Sequence, residues 1–225
     1  LRSIADQSNT FVTVVSGRSL RDLATLSRFP EEIRLVGSHG SEFDAGFAES
    51  LTESEQKLKE QLVESTRTIA DKYKARLEIK PAGVAFHVRE MADDLKASAL
   101  EEIRNGPCKL AGGHVMEGKN VVEISVRDRD KGHALARLRS QVSATAVLYI
   151  GDDTTDEAAF KTMTGPDVSI KVGEGETAAN YRVNSPIEVA QVLAGICDQR
   201  SKWLSGAGLV PIQDHSIISD QRTAA

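Results

Sequence analysis

An acidic turn near residue 150 holds the residue types best suited to chemistry. The stretch LYIGDDTTDEAAF, residues 148–160, places Asp152, Asp153, Asp156 and Glu157 within six positions. Carboxylates this close repel one another unless a positive charge holds them, and Mg²⁺ fits because it binds oxygen and needs only one or two protein carboxylates. Helix capping plus a solvated turn is the alternative, but capping accounts for only one or two of the acids. The pattern favours a magnesium site.

Two other polar turns follow apolar runs. VVSGR places Ser16 and the backbone amides of Gly17 and Arg18 after one run, and such a set can hold a phosphate. GSHGSE places His39 and Glu42 after another run. Serine and glycine also occur in ordinary turns, so each motif is weak evidence alone.

A lysine begins the helix-like stretch that precedes the acidic strand. Lys131, in RDKGHALARL, opposes the helix dipole, so it is either an exposed residue without a role or a cation directed at an anion. The apolar runs alternate with helix-like stretches and open into glycine-containing loops, which indicates a parallel α/β sheet. They cover residues 11–15, 33–40, 144–153 and 166–175. A parallel sheet would bring the three polar turns and Lys131 to one edge.

A long insertion separates the second and third runs. A helix of about five to six turns is predicted there, because five apolar residues recur at alternating intervals of seven and four positions. These residues are Leu51, Leu58, Leu62, Ile69 and Tyr73. Short alternating runs around one helix-like stretch then predict an antiparallel α+β unit, roughly Ala75 to Arg127, able to act as a lid. The expected organisation is core 1–74, cap 75–127, core 128–204, and a linker with the possible start of another domain over 205–225.

Composition narrows the classes of partner. The chain has 225 residues, a formal net charge of -5 and a pI near 5.6, which gives no electrostatic reason to expect nucleic acid or an anionic membrane. Cys108 and Cys197 lie in no CxxC motif, so two reduced thiols in a cytoplasm are expected. No apolar run approaches eighteen residues and the first residues lack a signal-peptide pattern. Small molecules are the expected partners.

Taken together, the motifs resemble the trehalose 6-phosphate phosphatases of the haloacid dehalogenase superfamily. They are VVSGR, GSHGSE, VEI followed by DKGHAL, YIGDDTTDEAAF, and VGEGETAANYRVNSPIEVAQVL. Their order and spacing match that family from about Phe11 to Leu193. GDDxTDE combined with TxAxYRxxxPxEV is highly specific, whereas SGR alone is not.

The resemblance implies a role for each motif. Ser16 would bind the transferring phosphoryl group, and Lys131 would neutralise its charge. Asp152 would ligate Mg²⁺ directly, while Asp153 and Asp156 would act through water or orient the metal's shell.

It also implies a set of sugar-binding groups. In the cap these are Lys80, His87, Arg89 and Glu123, and on the core side they are Arg18, His39 and Glu42. Without the resemblance, Glu123 is equally a strand-surface charge and His87 an outward-facing residue.

The first motif of the family, a strand ending in DxDGT, is absent. That motif supplies the aspartate nucleophile, so the resemblance implies that the sequence is an internal piece that does not turn over substrate alone. The one DxD present, DRD at 128–130, follows no free strand end. The closing stretch GLVPIQDHSIISDQRTAA resembles the start of glucoamylase-like glycoside hydrolases, which implies a fused second domain; a disordered tail is the alternative.

Three functions remain open. The first is hydrolysis of trehalose 6-phosphate through an aspartyl-phosphate. The second is the same chemistry on sucrose phosphate or mannosylglycerate phosphate, since only the sugar-binding cap differs. The third is a non-catalytic domain that binds a sugar phosphate or packs beside a hydrolase.

Overall fold

A computed structural model describes residues 1–43, 51–118, 120–128, 130–206 and 219–220. The helices are α1 (Arg2–Ala5), α2 (Leu20–Ser27), α3 (Glu53–Tyr73), α4 (Asp93–Asn105), α5 (Lys131–Val142), α6 (Glu157–Phe160) and α7 (Pro186–Leu204). The strands are β1 (Val12–Val15), β2 (Ile33–Gly37), β3 (Glu42–Phe43), β4 (Arg76–Lys80), β5 (Gly83–His87), β6 (His114–Gly118), β7 (Val121–Ser125), β8 (Leu148–Gly151), β9 (Val168–Val172), β10 (Tyr181–Val183) and β11 (Ser219–Asp220).

The chain divides into two compact units. Unit 1 comprises Leu1–Asp44 and Arg129–Ala225, and unit 2 comprises Ala45–Asp128. Unit 2 interrupts unit 1 in the sequence, as an inserted domain does. It includes α3, which the sequence analysis placed before the cap. Most of the closing stretch, 207–218 and 221–225, lies outside the described residues, so the predicted linker and second-domain start are described only at β11.

Unit 1 contains two small sheets with parallel pairing. In the first, β1 pairs parallel with β2, and β3 adds antiparallel to β2. In the second, β8, β9 and β10 pair in parallel, and β11 joins antiparallel to β10. Within the described residues, β1 and β8 each pair along one side only. The parallel α/β prediction for the core is confirmed.

Three helices of unit 1, namely α2, α5 and α7, begin at side-chain caps that the sequence supplies. Ser19 accepts a hydrogen bond from the backbone of Asp22 at the start of α2, and Ser185 caps α7 in the same way. Asp130 caps α5 through the amide of His133. Each cap satisfies an amide that lacks a partner inside its helix. The caps thereby set where each of these helices begins.

Unit 2 is a four-stranded antiparallel sheet with two helices on one face. Its strand order is β4, β5, β7, β6, and α3 and α4 cover the apolar side. The core there includes Leu62, Ile69, Val84, Phe86, Ile103, Val122 and Ile124. Side chains alternate between the faces of a strand, so the intervening positions form the opposite, polar face. The prediction of an inserted α+β cap is confirmed by this arrangement.

Helix α3 runs for 21 residues and starts with a capping box. Thr52 accepts a hydrogen bond from the amide of Glu55, and the Glu55 carboxylate accepts one from the amide of Thr52. Leu62 and Ile69, two of the predicted face residues, are buried against the sheet. The spacing of apolar residues therefore predicted both the helix and its packed face. No helix within the described ranges is long and apolar enough to cross a membrane.

Candidate functional site

The acidic turn, residues 152–157, is built around a buried aspartate. Asp156 is 3% exposed, and its Oδ1 accepts hydrogen bonds from Lys131 Nζ at 2.8 Å and from Tyr149 Oη at 2.8 Å. Its Oδ2 accepts from the amide of Asp153 at 2.9 Å. Both oxygens of Asp156 are thus engaged inside the protein. This carboxylate holds the turn together and anchors a lysine.

Lys131 is the cation that the sequence placed at a helix start. It is 7% exposed, so the alternative of a solvent-exposed lysine does not hold. A buried ammonium is unfavourable without a partner, and Asp156 supplies one. Burial and the nearby Asp156 also raise the pKa of Tyr149, so this hydroxyl stays a donor to the carboxylate.

A glycine gives the buried aspartate its space. A Cβ on Gly151 would overlap the Asp156 carboxyl group, because the side chain folds back over the end of β8. The backbone of this glycine does not have positive φ, so the requirement is for space rather than for conformation. Gly151 and Asp156 are therefore packed against each other and depend on each other for space.

Asp152 and Asp153 differ from Asp156 in their environment. Asp153 caps the following turn through Thr154, with Oδ1 accepting from the backbone amide at 2.6 Å. Desolvation acts to raise the pKa of Asp153, but the Thr154 hydrogen bonds and the electrostatic influence of Lys131 and His39 outweigh it and leave this pKa below its usual value. The Asp152 carboxylate is exposed and accepts no hydrogen bond from the described residues. Capping thus explains Asp153 and leaves Asp152 without a structural role.

These two carboxylates fit a magnesium ion. Within the described residues, neither oxygen of Asp152 accepts a hydrogen bond, and Asp153 uses Oδ1 in capping. Mg²⁺ keeps several waters and takes one or two carboxylates, so a pair of neighbouring aspartates suits it. In the part of the chain that the structure describes, no group of three or more His, Cys, Asp or Glu side chains is arranged around a common point. The donors therefore favour a hydrated hard cation over a closed zinc site.

The SGR loop, residues 16–18, and the SHG turn, Ser38–Gly40, are bound to each other. The Ser16 carbonyl accepts from the amide of His39 at 2.9 Å, and the Arg18 carbonyl accepts from the amide of Ser38 at 2.7 Å. The His39 ring lies where a side chain at Gly17 would be. The Ser16 hydroxyl accepts from the amide of Arg18 at 3.2 Å, while the Arg18 side chain is exposed. Ser16, Arg18 and His39 thus lie together at the ends of β1 and β2.

Glu42 has an internal role in this region. It is 9% exposed, and its Oε2 accepts from the amide of Leu20 at 2.9 Å, at the start of α2. Its Oε1 accepts a short hydrogen bond from the Ser38 hydroxyl. The carboxylate ties the SHG turn to α2, and its predicted contact with substrate remains a prediction.

The polar turns of unit 1 lie around the start of α5. A Cβ on Gly40, whose φ is 109°, would overlap Asp130 and Ala134, so the SHG turn packs directly on α5. The first residue of α5 is Lys131, whose ammonium reaches the acidic turn. Ser16, His39, Lys131 and the aspartates therefore lie in one region, although the described strands of unit 1 form two sheets and not the single parallel sheet that the sequence analysis expected.

The predicted sugar-binding residues lie on or beside the polar face of the unit 2 sheet. Lys80 is 5% exposed, and its Nζ lies 2.6 Å from Glu123 Oε2. The register places Glu123 opposite Ala85, which lies opposite Glu78. His87 Nε2 lies 2.9 Å from Glu78 Oε2 on the same face.

Arg89 lies outside this row. It is exposed in the turn that follows β5, two residues beyond His87. Lys80, His87 and Glu123 are thus brought together on one sheet face, and Arg89 borders it. Glu78 belongs to the same row and was not predicted. Its position two residues before Lys80 in β4 indicates that the two side chains lie on the same face of the sheet.

The sequence analysis also passed over Lys171 in β9. It is 5% exposed, and its Nζ donates to the backbone carbonyl of Asp152 at 2.6 Å. In the sequence it stands in an ordinary apolar run, where a lysine predicts an edge or a surface position. Its contact with the acidic turn depends on the pairing of β8 with β9, which the sequence does not specify.

The family model for trehalose-phosphatase matches residues 1–187 of this chain. The chain belongs to the trehalose-phosphatase family. A trehalose-6-phosphate phosphatase-related protein of Thermoplasma acidophilum is 32% identical over 203 residues, covering 86% of this chain and 83% of that protein. The crystal structure of a trehalose-6-phosphate phosphatase-related protein superposes with a TM-score of 0.67 at 26% identity, covering 89% of this chain and 86% of that one. The resemblance to this family and its haloacid dehalogenase-like fold is confirmed.

A second kind of relative is much longer. An uncharacterized glycosyl hydrolase of Mycobacterium tuberculosis is 32% identical over 220 residues, which cover 88% of this chain and 16% of that protein. The trehalose-phosphatase family sequence thus also occurs as a small part of a larger polypeptide.

Proposed function

We propose that this chain carries the phosphate-binding, metal-binding and sugar-binding groups of a magnesium-dependent trehalose 6-phosphate phosphatase. The observation that carries the proposal is the buried Lys131–Asp156 pair within the same acidic turn as Asp152, whose exposed carboxylate accepts no hydrogen bond from the described residues. A fixed cation near carboxylates that can hold Mg²⁺ suits a phosphoryl group, whose transfer depends on positioning and charge neutralisation.

Each group of unit 1 has a role in this proposal. Ser16 donates its hydroxyl to a phosphoryl oxygen, and Lys131 neutralises the charge of the phosphoryl group and of the nucleophile. Asp152 and Asp153 hold Mg²⁺, which when bound supplies further neutralisation of the phosphoryl oxygens. Asp156 keeps Lys131 and the acidic turn in place. The aspartyl-phosphate forms on an aspartate of a DxDGT motif at a strand end, which the 225 residues do not contain.

The polar face of unit 2 is proposed to recognise the sugar. The salt bridge between Lys80 and Glu123 and the hydrogen bond between His87 and Glu78 offer both donors and acceptors to hydroxyl groups. Arg89 adds an exposed cation at the border of this face. The relatives named for trehalose 6-phosphate support that substrate over other sugar phosphates.

A fused hydrolase-like domain belongs to the proposal as a partner. Its support is the closing stretch of the sequence together with the glycosyl hydrolase of Mycobacterium tuberculosis, in which the matched region is 16% of the length. A hydrolase acting on the released disaccharide is chemically compatible with the phosphatase reaction.

The test is magnesium-dependent phosphate release from trehalose 6-phosphate. It compares the 225-residue chain with the chain expressed together with whatever sequence its gene carries upstream of Leu1. We expect release from the longer form alone. Release from neither form would favour another sugar phosphate or a binding domain, and release from the short form would mean that a different residue is the nucleophile.

Variants of the active form separate the two parts of the proposal. Lys80→Met is expected to lose most of the activity on trehalose 6-phosphate while keeping activity on a small aryl phosphate, whereas Lys131→Met loses both. Lys57→Met is the matched control, because Lys57 is an exposed lysine of unit 2 whose one ion pair among the described residues is with Glu53, one helical turn away. Equal losses on both substrates for Lys80→Met would contradict the sugar-binding role.

A further inference from the structure

Lys171 is a buried cation to which no step of the proposed reaction gives a role. It lies in β9 directly opposite Gly151, the last residue of β8. Its Nζ donates to the carbonyl oxygen of Asp152 at 2.6 Å and lies 4.0 Å from Glu157 Oε1. A lysine that is 5% exposed is unfavourable without such partners. The burial of the Lys171 ammonium beside the acidic turn therefore indicates a functional role for this residue.

The carbonyl contact restrains the residue best placed to bind a metal. The Asp152 carboxylate is exposed and has no hydrogen bond within the described residues, so nothing in its side chain holds it. Its backbone, by contrast, is fixed by Lys171. With the backbone fixed, the direction of the carboxylate depends only on the two side-chain torsions of Asp152.

Glu157 balances the charge of Lys171 and extends the contact to a second loop. Its Oε2 accepts from the amide of Ala178 at 2.8 Å, in the loop that follows β9. Its Oε1, buried and without a hydrogen bond in the described structure, faces the ammonium. The Lys171–Glu157 pair is neutral as a whole, so it adds little net field at the acidic turn. Its effect on a bound cation is through geometry.

We infer that Lys171 is a positioning residue that fixes the backbone of Asp152 and so directs its carboxylate toward a divalent cation. The inference rests on the proposed function, which assigns that cation to Asp152 and Asp153. Residues that orient a metal ligand without touching the metal commonly change metal affinity by about 10- to 100-fold when removed.

Positioning and simple electrostatics predict opposite results for Lys171→Met. Removing a positive charge near a cation site strengthens cation binding if only charge matters. Removing the group that fixes Asp152 weakens binding if positioning matters. We expect Lys171→Met to bind Mn²⁺, used as a paramagnetic probe for Mg²⁺, about tenfold more weakly than the wild type.

The experiment measures free Mn²⁺ by electron paramagnetic resonance in titrations of the full chain. Lys161→Met is the matched control, since Lys161 is exposed, lies just beyond α6 and loses the same charge. It should bind Mn²⁺ as the wild type does. Lys171→Arg keeps the charge and the donors, so its affinity should fall less than that of Lys171→Met, and it serves where the methionine variant unfolds.

Asp152→Asn separates failure of the inference from failure of the proposed function. If Asp152→Asn weakens Mn²⁺ binding and Lys171→Met binds as tightly as the wild type or more tightly, the positioning role is overturned and the metal site stands. If Asp152→Asn leaves binding unchanged, the metal site itself is wrong and the inference falls with it. Equal weakening by Lys171→Arg and Lys171→Met would also overturn the role of the donated hydrogen bond.

Discussion

Asp152 and Asp156 lie four residues apart in the acidic turn and have opposite environments. Asp156 is buried against Lys131 and Tyr149, whereas Asp152 is exposed and makes no side-chain hydrogen bond within the described ranges. One carboxylate stabilises the protein, and the other is held close to its like-charged neighbours. The same residue type therefore has opposite effects on stability at the two positions.

Asparagine substitutions test this contrast. Asp156→Asn leaves the buried Lys131 without its counter-charge and should lower the free energy of unfolding by about 3–5 kcal/mol. Asp152→Asn should leave it unchanged or raise it slightly, because it relieves repulsion and breaks no bond. Urea denaturation without divalent cations measures both values. A similar loss in the two variants would mean that Asp152 has a structural partner in solution.

The residue types of the site could be predicted from the sequence, but the role of each side chain could not. Clustered acids, SGR and a lysine at a helix start are visible in the sequence, since their spacing relative to apolar runs is local information. Whether a carboxylate points outward or folds back over Gly151 depends on packing. The same holds for Glu42, whose partner Leu20 lies 22 positions earlier.

At the scale of elements, the start of α3 is joined to the end of the unit 2 sheet by one ion pair. Arg127 Nε lies 2.8 Å from Glu55 Oε1, and its second nitrogen lies 3.0 Å from Oε2. Hydrogen bonds from Arg127 and from the backbone of Thr52 hold the pKa of Glu55 at about 2, against its ordinary 4.5. A single carboxylate thus serves both the helix cap and the contact with the segment after β7.

This pKa predicts a pH dependence of stability. Because the folded-state pKa is below the unfolded one, the stabilisation is fully present above pH 4.5 and is lost as the pH falls toward 2. Glu55→Gln should therefore lower the free energy of unfolding by about 1.5–3 kcal/mol at pH 7 and have little effect near pH 2.

The measurement is thermal or urea unfolding of unit 2 at several pH values. Glu53→Gln is the control, because Glu53 lies in the same helical turn but is 85% exposed and, in the part of the chain that the structure describes, pairs with Lys57 alone. Its effect should stay within about 0.5 kcal/mol at every pH. A Glu55→Gln loss that does not shrink with acidification would assign the stabilisation to packing.

Elements with strong local patterns were predictable, and those that depend on partners were not. The spacing of Leu58, Leu62 and Ile69 was enough to predict α3, since one helical face suffices. β10, with the residues YRV, has no such pattern and forms a strand because β9 offers it an edge. The predicted boundary of the cap at residue 75 and the unit boundary at 45 differ because α3 buries its face on the cap sheet.

At the scale of the whole molecule, each unit has a hydrophobic core of its own. In unit 2 the core is built around Phe86, which is fully buried. In unit 1 a smaller cluster contains Phe160 and Tyr149, whose rings meet edge to face with centroids 5.7 Å apart. The two described core clusters therefore belong to different units.

Alanine substitutions in the two cores should therefore act locally. Phe86→Ala should destabilise unit 2 by about 3–5 kcal/mol and speed amide hydrogen exchange in β5 and β7. Exchange in β8 and β9 should stay as in the wild type. Phe160→Ala is the reciprocal control and should affect β8 and β9 alone. Faster exchange throughout the chain in either variant would indicate one cooperative body.

The single-sided pairing of β1 and β8 leads us to expect that the protein associates in solution. Within the described residues, each strand has one edge whose backbone donors and acceptors have no strand partner. Such edges pair readily with other chains, and none of the four residues of β1 is buried. Association through these edges would increase with protein concentration, so melting temperatures and affinities of variants are comparable only when they are measured at one concentration.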